Sequence, residues 1–359
     1  MTSQAQATPQ ATDAAELVDT HPDQSGVASS NSDATVVAGA TAADFSTAVA
    51  DSGGSAAGFD DASVDPGPSA SDLGDAPGER GVAVADAVGA LLDRLASLPS
   101  IMVAFSGGAD SAFLLAAAVR ALGPERVEAA TAVSPSLPRV ELDRAREFAT
   151  GLGVAHHAPA TDELSREGYR ANAGDRCFFC KTELMSVVGP LAAERGVAAV
   201  ATGTNADDIR AGFRPGIRAA ANAGALTPLA DAGLTKSEIR AASKAWGLPT
   251  WDKPAAACLA SRIAYGVEVT AGGLQRVAEA EEALRRALAE AAIPVRNLRV
   301  RDMGDDTAKV EIDTELVAAV AERPNVLAAV EGFAAVKLDE QGFRSGAMNE
   351  LLPNPERYR

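Results

Sequence analysis

The stretch SIMVAFSGGADSAFLLAAAVRAL, residues 100–122, constrains this chain more than any other. A short apolar run, SIMVAF, ends abruptly at two glycines and gives way to a segment with the apolar spacing of a helix. That order reads as a buried strand, a tight turn and a helix start. In the turn, S-G-G-A-D-S, Gly107 and Gly108 let the backbone approach an anion. The hydroxyls of Ser106 and Ser111, with the free N–H groups of the helix start, can bind phosphate oxygens. No Gly-Lys-Ser/Thr follows, so this is not a Walker A loop, and it is not G-x-G-x-x-G either. The plain alternative is a serine-glycine turn of an ordinary α/β protein.

The surrounding pattern makes that turn one unit of a larger sheet. A helix is expected from Val82, a second strand at 127–133, and a helix at 138–152. VAHHAP is a third strand candidate, then a helix at about 181–195 and the strand VAAVATG, 197–203. Strands alternating with helices predict a parallel sheet with helices on both faces. Thr235 and Glu238 form a capping box at the start of a helix over 235–247, which Gly247 stops. After Ile263 the texture changes to a long helix, about 271–291, then two strands joined by a Gly-Asp-Asp turn in NLRVRDMGDDTAKVEID. A helix near 314–322 and a strand at AAVKLD follow. The expected division is a disordered acidic tail over 1–80, an α/β domain over 81–265 and a smaller α+β domain over 266–359.

The net charge of −17 is carried mostly by the tail, where 13 acidic residues face one base, Arg80. That segment is too poor in large apolar residues to offset the entropy of ordering it. The remaining residues are only mildly acidic, with 36 acids and 31 bases, so the chain shows no basic field for duplex nucleic acid. No run of 18 apolar residues exists and the N-terminus has no secretory pattern, so the cytoplasm is expected and a membrane is not.

The chain has three cysteines. Cys177 and Cys180 form a C-x-x-C in GDRCFFCKTE, and Cys258 lies in KPAAACLASR. Residue chemistry leaves several uses open. The thiols could be three ligands of an iron–sulfur cluster, or a zinc site completed by His156 or His157. Cys177 and Cys180 could also be a redox pair. Arg299 and Arg301 stand two apart on a predicted strand, so both point to one face, where forked guanidinium groups suit a phosphate; a solvated surface face is the plain alternative.

The S-G-G-x-D-S turn at a strand–helix junction resembles the pyrophosphate loop of the PP-loop ATP pyrophosphatase superfamily. TPLADAGLTKSEIRAASKAWGLP is similar to a stretch of several of its thiolating members, and ATGTNADD resembles its G-T-N loop that closes over ATP. Five ordered motifs, GDRCFFCKTELM, TGTNADDIRAGFRPGIRAA, WDKPAAACLASRIAYG, RVRDMGDDTAKVEI and GFRSGAMNE, resemble the LarE family over residues 82–352. The resemblance implies a PP-loop (adenine nucleotide alpha hydrolase-like) α/β fold with a C-terminal α+β domain. It also implies adenylation of a pyridinium dicarboxylate mononucleotide and insertion of sulfur, in nickel-pincer cofactor biosynthesis. ATP would be bound by Ser106, Gly107, Gly108, Asp110, Ser111, Gly203, Thr204 and Asn205, with Asp208 on Mg²⁺. Asp207 is a second candidate there, and a helix N-cap is the competing use of that acidic pair. Asp110 and Cys258 would be catalytic, and Arg299, Arg301 and Arg344 would hold the substrate phosphate, assisted by Arg214 and Arg262. Arg218 is a further candidate on the same stretch. Members of one kind have a single cysteine and sacrifice its sulfur; members of the other have three and carry a [4Fe–4S] cluster. Cys177, Cys180 and Cys258 match the second kind, and sacrifice of Cys258 alone is the alternative. A homo-oligomer, a sulfide donor and a downstream nickel-insertion protein are the partners this implies. A PP-loop tRNA thiolase is the rival enzyme.

Overall fold

The computed structural model describes residues 79–352 apart from 212–213, 255–256 and 345. All described residues belong to one compact unit. The expected tail lies outside them as far as residue 78. The first half of the chain alternates as predicted: α1 (Glu79–Ala96), β1 (Ile101–Ala104), α2 (Ala109–Leu122), β2 (Val127–Ala130), α3 (Arg139–Gly151) and β3 (Ala155–His157). It continues with α4 (Glu167–Arg170), α5 (Arg176–Glu194), β4 (Ala199–Thr202), α6 (Ala206–Arg210), α7 (Pro215–Asn222), α8 (Pro228–Asp231) and α9 (Lys236–Ala245). The strands form a parallel sheet in the order β3-β2-β1-β4.

Burial explains why β1 is apolar throughout. Ile101 and Val103 pack with Val88, Leu91, Phe113 and Ile239 from α1, α2 and α9, while Met102 meets Val188 and Ala192 of α5 on the opposite face. Covering both faces requires a continuous apolar strand rather than an alternating one. Helix starts follow local rules. Thr235 and Glu238 bond reciprocally in the predicted capping box, and Asn205 and Asp208 do the same for α6.

A second, three-stranded sheet is built from α10 (Ala271–Glu290), β5 (Leu298–Asp302), β6 (Thr307–Ile312), α11 (Val317–Ala321), α12 (Pro324–Leu327) and β7 (Ala335–Leu338). Its order is β5-β6-β7, antiparallel across the hairpin and parallel between β6 and β7. Gly304, Asp305 and Asp306 all take positive φ, as the Gly-Asp-Asp turn requires. The architecture is therefore α/β with a flanked parallel sheet and a separate smaller sheet.

One boundary differs in a way that matters. The helix expected from about residue 181 begins at Arg176, so Cys177 and Cys180 lie in its first turn rather than on a loop. Two phenylalanines in four residues give this turn little intrinsic helical signal. Packing supplies the rest: Phe179 lies over Gly168, where any Cβ would fall 2.1 Å from its ring, and Arg218 stacks over Phe178 at 5.0 Å.

Candidate active site

The S-G-G-A-D-S turn opens into a cavity of about 390 Å³ at the C-terminal ends of β1 and β4. Gly107 has φ +69°, and Gly108 caps α2 with extended backbone, which leaves N–H groups of the helix start unpaired. The Ser111 hydroxyl donates to the Gly108 carbonyl at 3.1 Å and lies 3.1 Å from the Ser106 hydroxyl. Gly203 faces the same space, where an added Cβ would come within 2.8 Å of the Ser111 nitrogen. Its missing side chain lets β4 close against the start of α2.

Asp110 lines this cavity. Burial raises its carboxyl pKa, helped by neighbouring Asp208 and opposed by Lys236 and a 3.1 Å hydrogen bond from Asn205. Asn205, expected on the nucleotide, is fully buried and does not line the cavity; it caps α6 and orients Asp110. Asp208 completes that capping box and also pairs with Lys236 at 3.3 Å and Arg214 at 3.4 Å. Asp207, the other acid of the pair, accepts from the Lys236 backbone N–H at 2.8 Å. Four cations reach the cavity: Lys181, Lys236, Arg240 and Lys253. Lys253 donates to the Gly107 carbonyl at 2.8 Å and to Glu141 at 2.7 Å, which fixes the turn from the side. Sequence reasoning assigned none of the four to the site. Lys236 and Arg240 stand in the quoted K-S-E-I-R stretch and Lys181 directly follows the C-x-x-C, so a signal was present.

The three cysteines are free thiols. Cys177 and Cys180 lie one helical turn apart, and Cys258 precedes the 3₁₀ turn Leu259–Arg262. Desolvation raises both thiol pKa values, at Cys177 although its side chain still touches solvent; Cys258 adds to the effect on each, and Arg176 opposes it at Cys177. Cys180 and Cys258 pack against the same apolar cluster of Tyr169, Leu259 and Ile263, so the two chain segments lie side by side. Among the described residues, no three His, Cys, Asp or Glu side chains converge to hold a single metal ion. The zinc alternative also loses its histidines: His156 is bonded to Thr131 at 2.8 Å and His157 to Glu128 at 2.7 Å, both in the sheet.

Buried arginines surround Cys258. Arg262 bonds the carbonyls of Ala257 and Cys258 and is paired with Glu281, which also accepts the Val300 N–H. Arg301 bonds the Ser261 carbonyl and pairs with Glu311 at 2.6 Å. Arg176, which directly precedes the C-x-x-C and was not singled out from sequence, bonds the Ala260 carbonyl at 2.8 Å. No carboxylate pairs with Arg176 among the described residues.

A second cavity, of about 280 Å³, is lined by Arg176, Arg214, Arg299 and Arg301 with Tyr265 and Phe343. Burial, with Arg262 and Arg301 alongside, lowers the Arg299 guanidinium pKa to about 10. Arg299 and Arg301 do share a face, as their spacing predicts. Arg344 does not reach this space; it is exposed and paired with Glu350. Arg262 is committed to Glu281 and does not line it either. Glu282, one residue on, is an exposed partner of Arg286. Removing Glu281 would leave the Arg262 charge buried and unpaired. Glu281→Ala is therefore expected to cost about 3–5 kcal/mol of stability, read as a lowered denaturation midpoint, with Glu282→Ala near neutral.

The chain is 33% identical over 272 residues to the pyridinium-3,5-bisthiocarboxylic acid mononucleotide synthase of Lactiplantibacillus plantarum, covering 75% of this chain and 96% of that protein. It is 40% identical over 260 residues to an uncharacterized protein of Synechocystis sp., covering 71% and 94% of the two chains. An uncharacterized protein of Methanocaldococcus jannaschii is 27% identical over 176 residues, 48% of this chain and 66% of the relative. No family model matches the chain.

Proposed function

Because the chain belongs to the LarE family, that of the pyridinium-3,5-bisthiocarboxylic acid mononucleotide synthases, we propose that it is an ATP-dependent sulfur transferase acting on a pyridinium dicarboxylate mononucleotide in nickel-pincer cofactor biosynthesis. One observation carries the reading: the cavity over S-G-G-A-D-S and the arginine-lined cavity both reach Ala257, the neighbour of Cys258. An acyl-adenylate joins a nucleotide held by its phosphates to a substrate held by its anionic groups. Two anion sites must then meet at the reacting carbonyl, with the sulfur source beside it.

The chemistry follows from the poor electrophilicity of a carboxylate. A substrate carboxylate oxygen attacks the α-phosphorus of ATP, and pyrophosphate leaves. A sulfur nucleophile then attacks the activated carbonyl carbon, and AMP leaves with the former carboxylate oxygen. Lys181, Lys236, Arg240 and Lys253 are disposed to offset charge on the departing pyrophosphate. Mg²⁺ commonly takes one or two carboxylates plus phosphate oxygens, which Asp208 and Asp110 would supply. Arg176, Arg299 and Arg301 would hold the substrate's phosphate and carboxylates.

Cys177, Cys180 and Cys258 would hold a [4Fe–4S] cluster. Three-thiolate ligation leaves one iron without a protein ligand, where a transferable sulfide can bind. Two observations support the fit: three free thiols, with Cys180 and Cys258 packed against the same apolar cluster, and Arg176, which no carboxylate pairs among the described residues, to balance negative charge. The reading extends to a cytoplasmic homo-oligomer that receives sulfide from a donor and passes its product to a nickel-insertion protein.

Purification without oxygen should give iron and acid-labile sulfide in equal amounts, and Cys177→Ala should lose both. Stoichiometric zinc without iron would overturn the cluster assignment. Incubation with ATP and the pyridinium dicarboxylate should release pyrophosphate; release only with tRNA would make the protein a tRNA thiolase instead.

A further inference from the structure

We propose that Asn172 and Arg176 are positioning residues that set Cys258 in register with Cys177 and Cys180. The inference rests on the reading of the three cysteines as one sulfur-carrying site. Those thiols come from two segments separated by 78 residues of sequence, so something must fix one against the other.

Asn172 is fully buried and has φ +51°. Its amide nitrogen lies 2.8 Å from the Ala264 carbonyl, 2.9 Å from that of Val267 and 3.3 Å from that of Ile263. Its own backbone carbonyl accepts the Gly266 N–H at 3.2 Å. One side-chain amide therefore grips the strand of chain that follows Cys258. The other end of that amide, Oδ1, accepts from Arg176, whose guanidinium also donates to the Ala260 carbonyl.

The connection is direct on both sides. Arg176 opens α5 and is bonded in sequence to Cys177, with Cys180 one turn further along the same helix. Ala260 is two residues from Cys258, within its 3₁₀ turn. Arg262 and Arg301 also hold this turn, but they tie it to α10 and to β6 through Glu281 and Glu311. The pair Asn172–Arg176 ties it to the cysteine helix. A left-handed, fully buried asparagine with every side-chain bond spent on this junction has no other evident use.

The test uses the full chain. Asn172→Asp keeps the acceptor for Arg176 but loses the donors to the 263–267 carbonyls; Arg176→Lys is a milder change that keeps the charge. In metal-free protein, iodoacetamide labelling of each cysteine is followed by mass spectrometry. Cys258 should label about tenfold faster in Asn172→Asp, as its segment opens locally, and by less in Arg176→Lys. Iron content after reconstitution should fall in the same order, while Asn172→Asp keeps its ATP-dependent pyrophosphate release. Cys258 labelling at the wild-type rate in both variants would overturn the proposal. So would equal acceleration of all three cysteines with loss of pyrophosphate release, since that signals general unfolding. If the wild type binds no iron, the cluster reading fails, and the labelling comparison still decides the role of Asn172 and Arg176.

Discussion

Cys258→Ser is expected to lower thiocarboxylate formation by roughly 10³-fold or more, as loss of an essential group does, while ATP-dependent pyrophosphate release persists. The separation follows from geometry. On the proposed reading, adenylation would take place over S-G-G-A-D-S with Lys181, Lys236, Arg240 and Lys253, and Cys258 is not among the residues lining that cavity. It stands beside Ala257, which lines both the cavity over S-G-G-A-D-S and the arginine-lined cavity. Serine preserves the volume and the start of the 3₁₀ turn but offers a weaker nucleophile and a poor iron ligand. The same protein distinguishes carriage from sacrifice. Wild-type chain mass should stay unchanged after several turnovers. A chain lighter by the elements of hydrogen sulfide would mean that Cys258 itself is consumed, and would overturn the role of Cys177 and Cys180 as carriers.

Gly203→Ala should disrupt the cavity over S-G-G-A-D-S and slow pyrophosphate release about 10²-fold, although it adds one methyl. The new Cβ would lie 2.8 Å from the Ser111 nitrogen and 2.9 Å from its Cα, both backbone atoms of α2. Neither can rotate away, so β4 must withdraw from the loop or α2 must shift. Overpacking of this kind costs about 1–3 kcal/mol, and a displacement near 1 Å at a reactive site can cost about 10²-fold in rate. The measurements are thermal unfolding and the kcat/KM of pyrophosphate release. Gly189→Ala is the control, because nothing lies within 4 Å of the Cβ it would add. A helical glycine in open space should gain slightly in stability on replacement. Wild-type kinetics in Gly203→Ala would show that the loop does not depend on this close approach.

The strands and helices of the parallel sheet were legible because their signals are local. An apolar run bounded by Gly107 and Gly108, or a Thr235–Glu238 capping box, says what it is without reference to the rest of the chain. The start of α5 was not legible, because the packing of Phe179 on Gly168 draws the C-x-x-C into a helix that its own residues barely favour. At the cavity, Ser106, Gly108, Asp110 and Ser111 could be found from one motif, since they lie within six consecutive residues. Asn172 carries no sequence signal: the carbonyls its amide nitrogen grips lie about 90 residues away and its importance comes from burial and a left-handed backbone.

Residue chemistry alone thus determined a glycine-rich turn between a strand and a helix of an α/β sheet, three cysteines and a pair of arginines facing one way. Tertiary structure decided which of these work together. It brought Lys253 to the loop, turned Asn205 inward onto Asp110, left Arg344 at the surface, and paired Arg262 and Arg301 with Glu281 and Glu311. The reason is that an arginine's role depends on whether a carboxylate lies within reach, and for a buried group that is set by packing between segments distant in sequence.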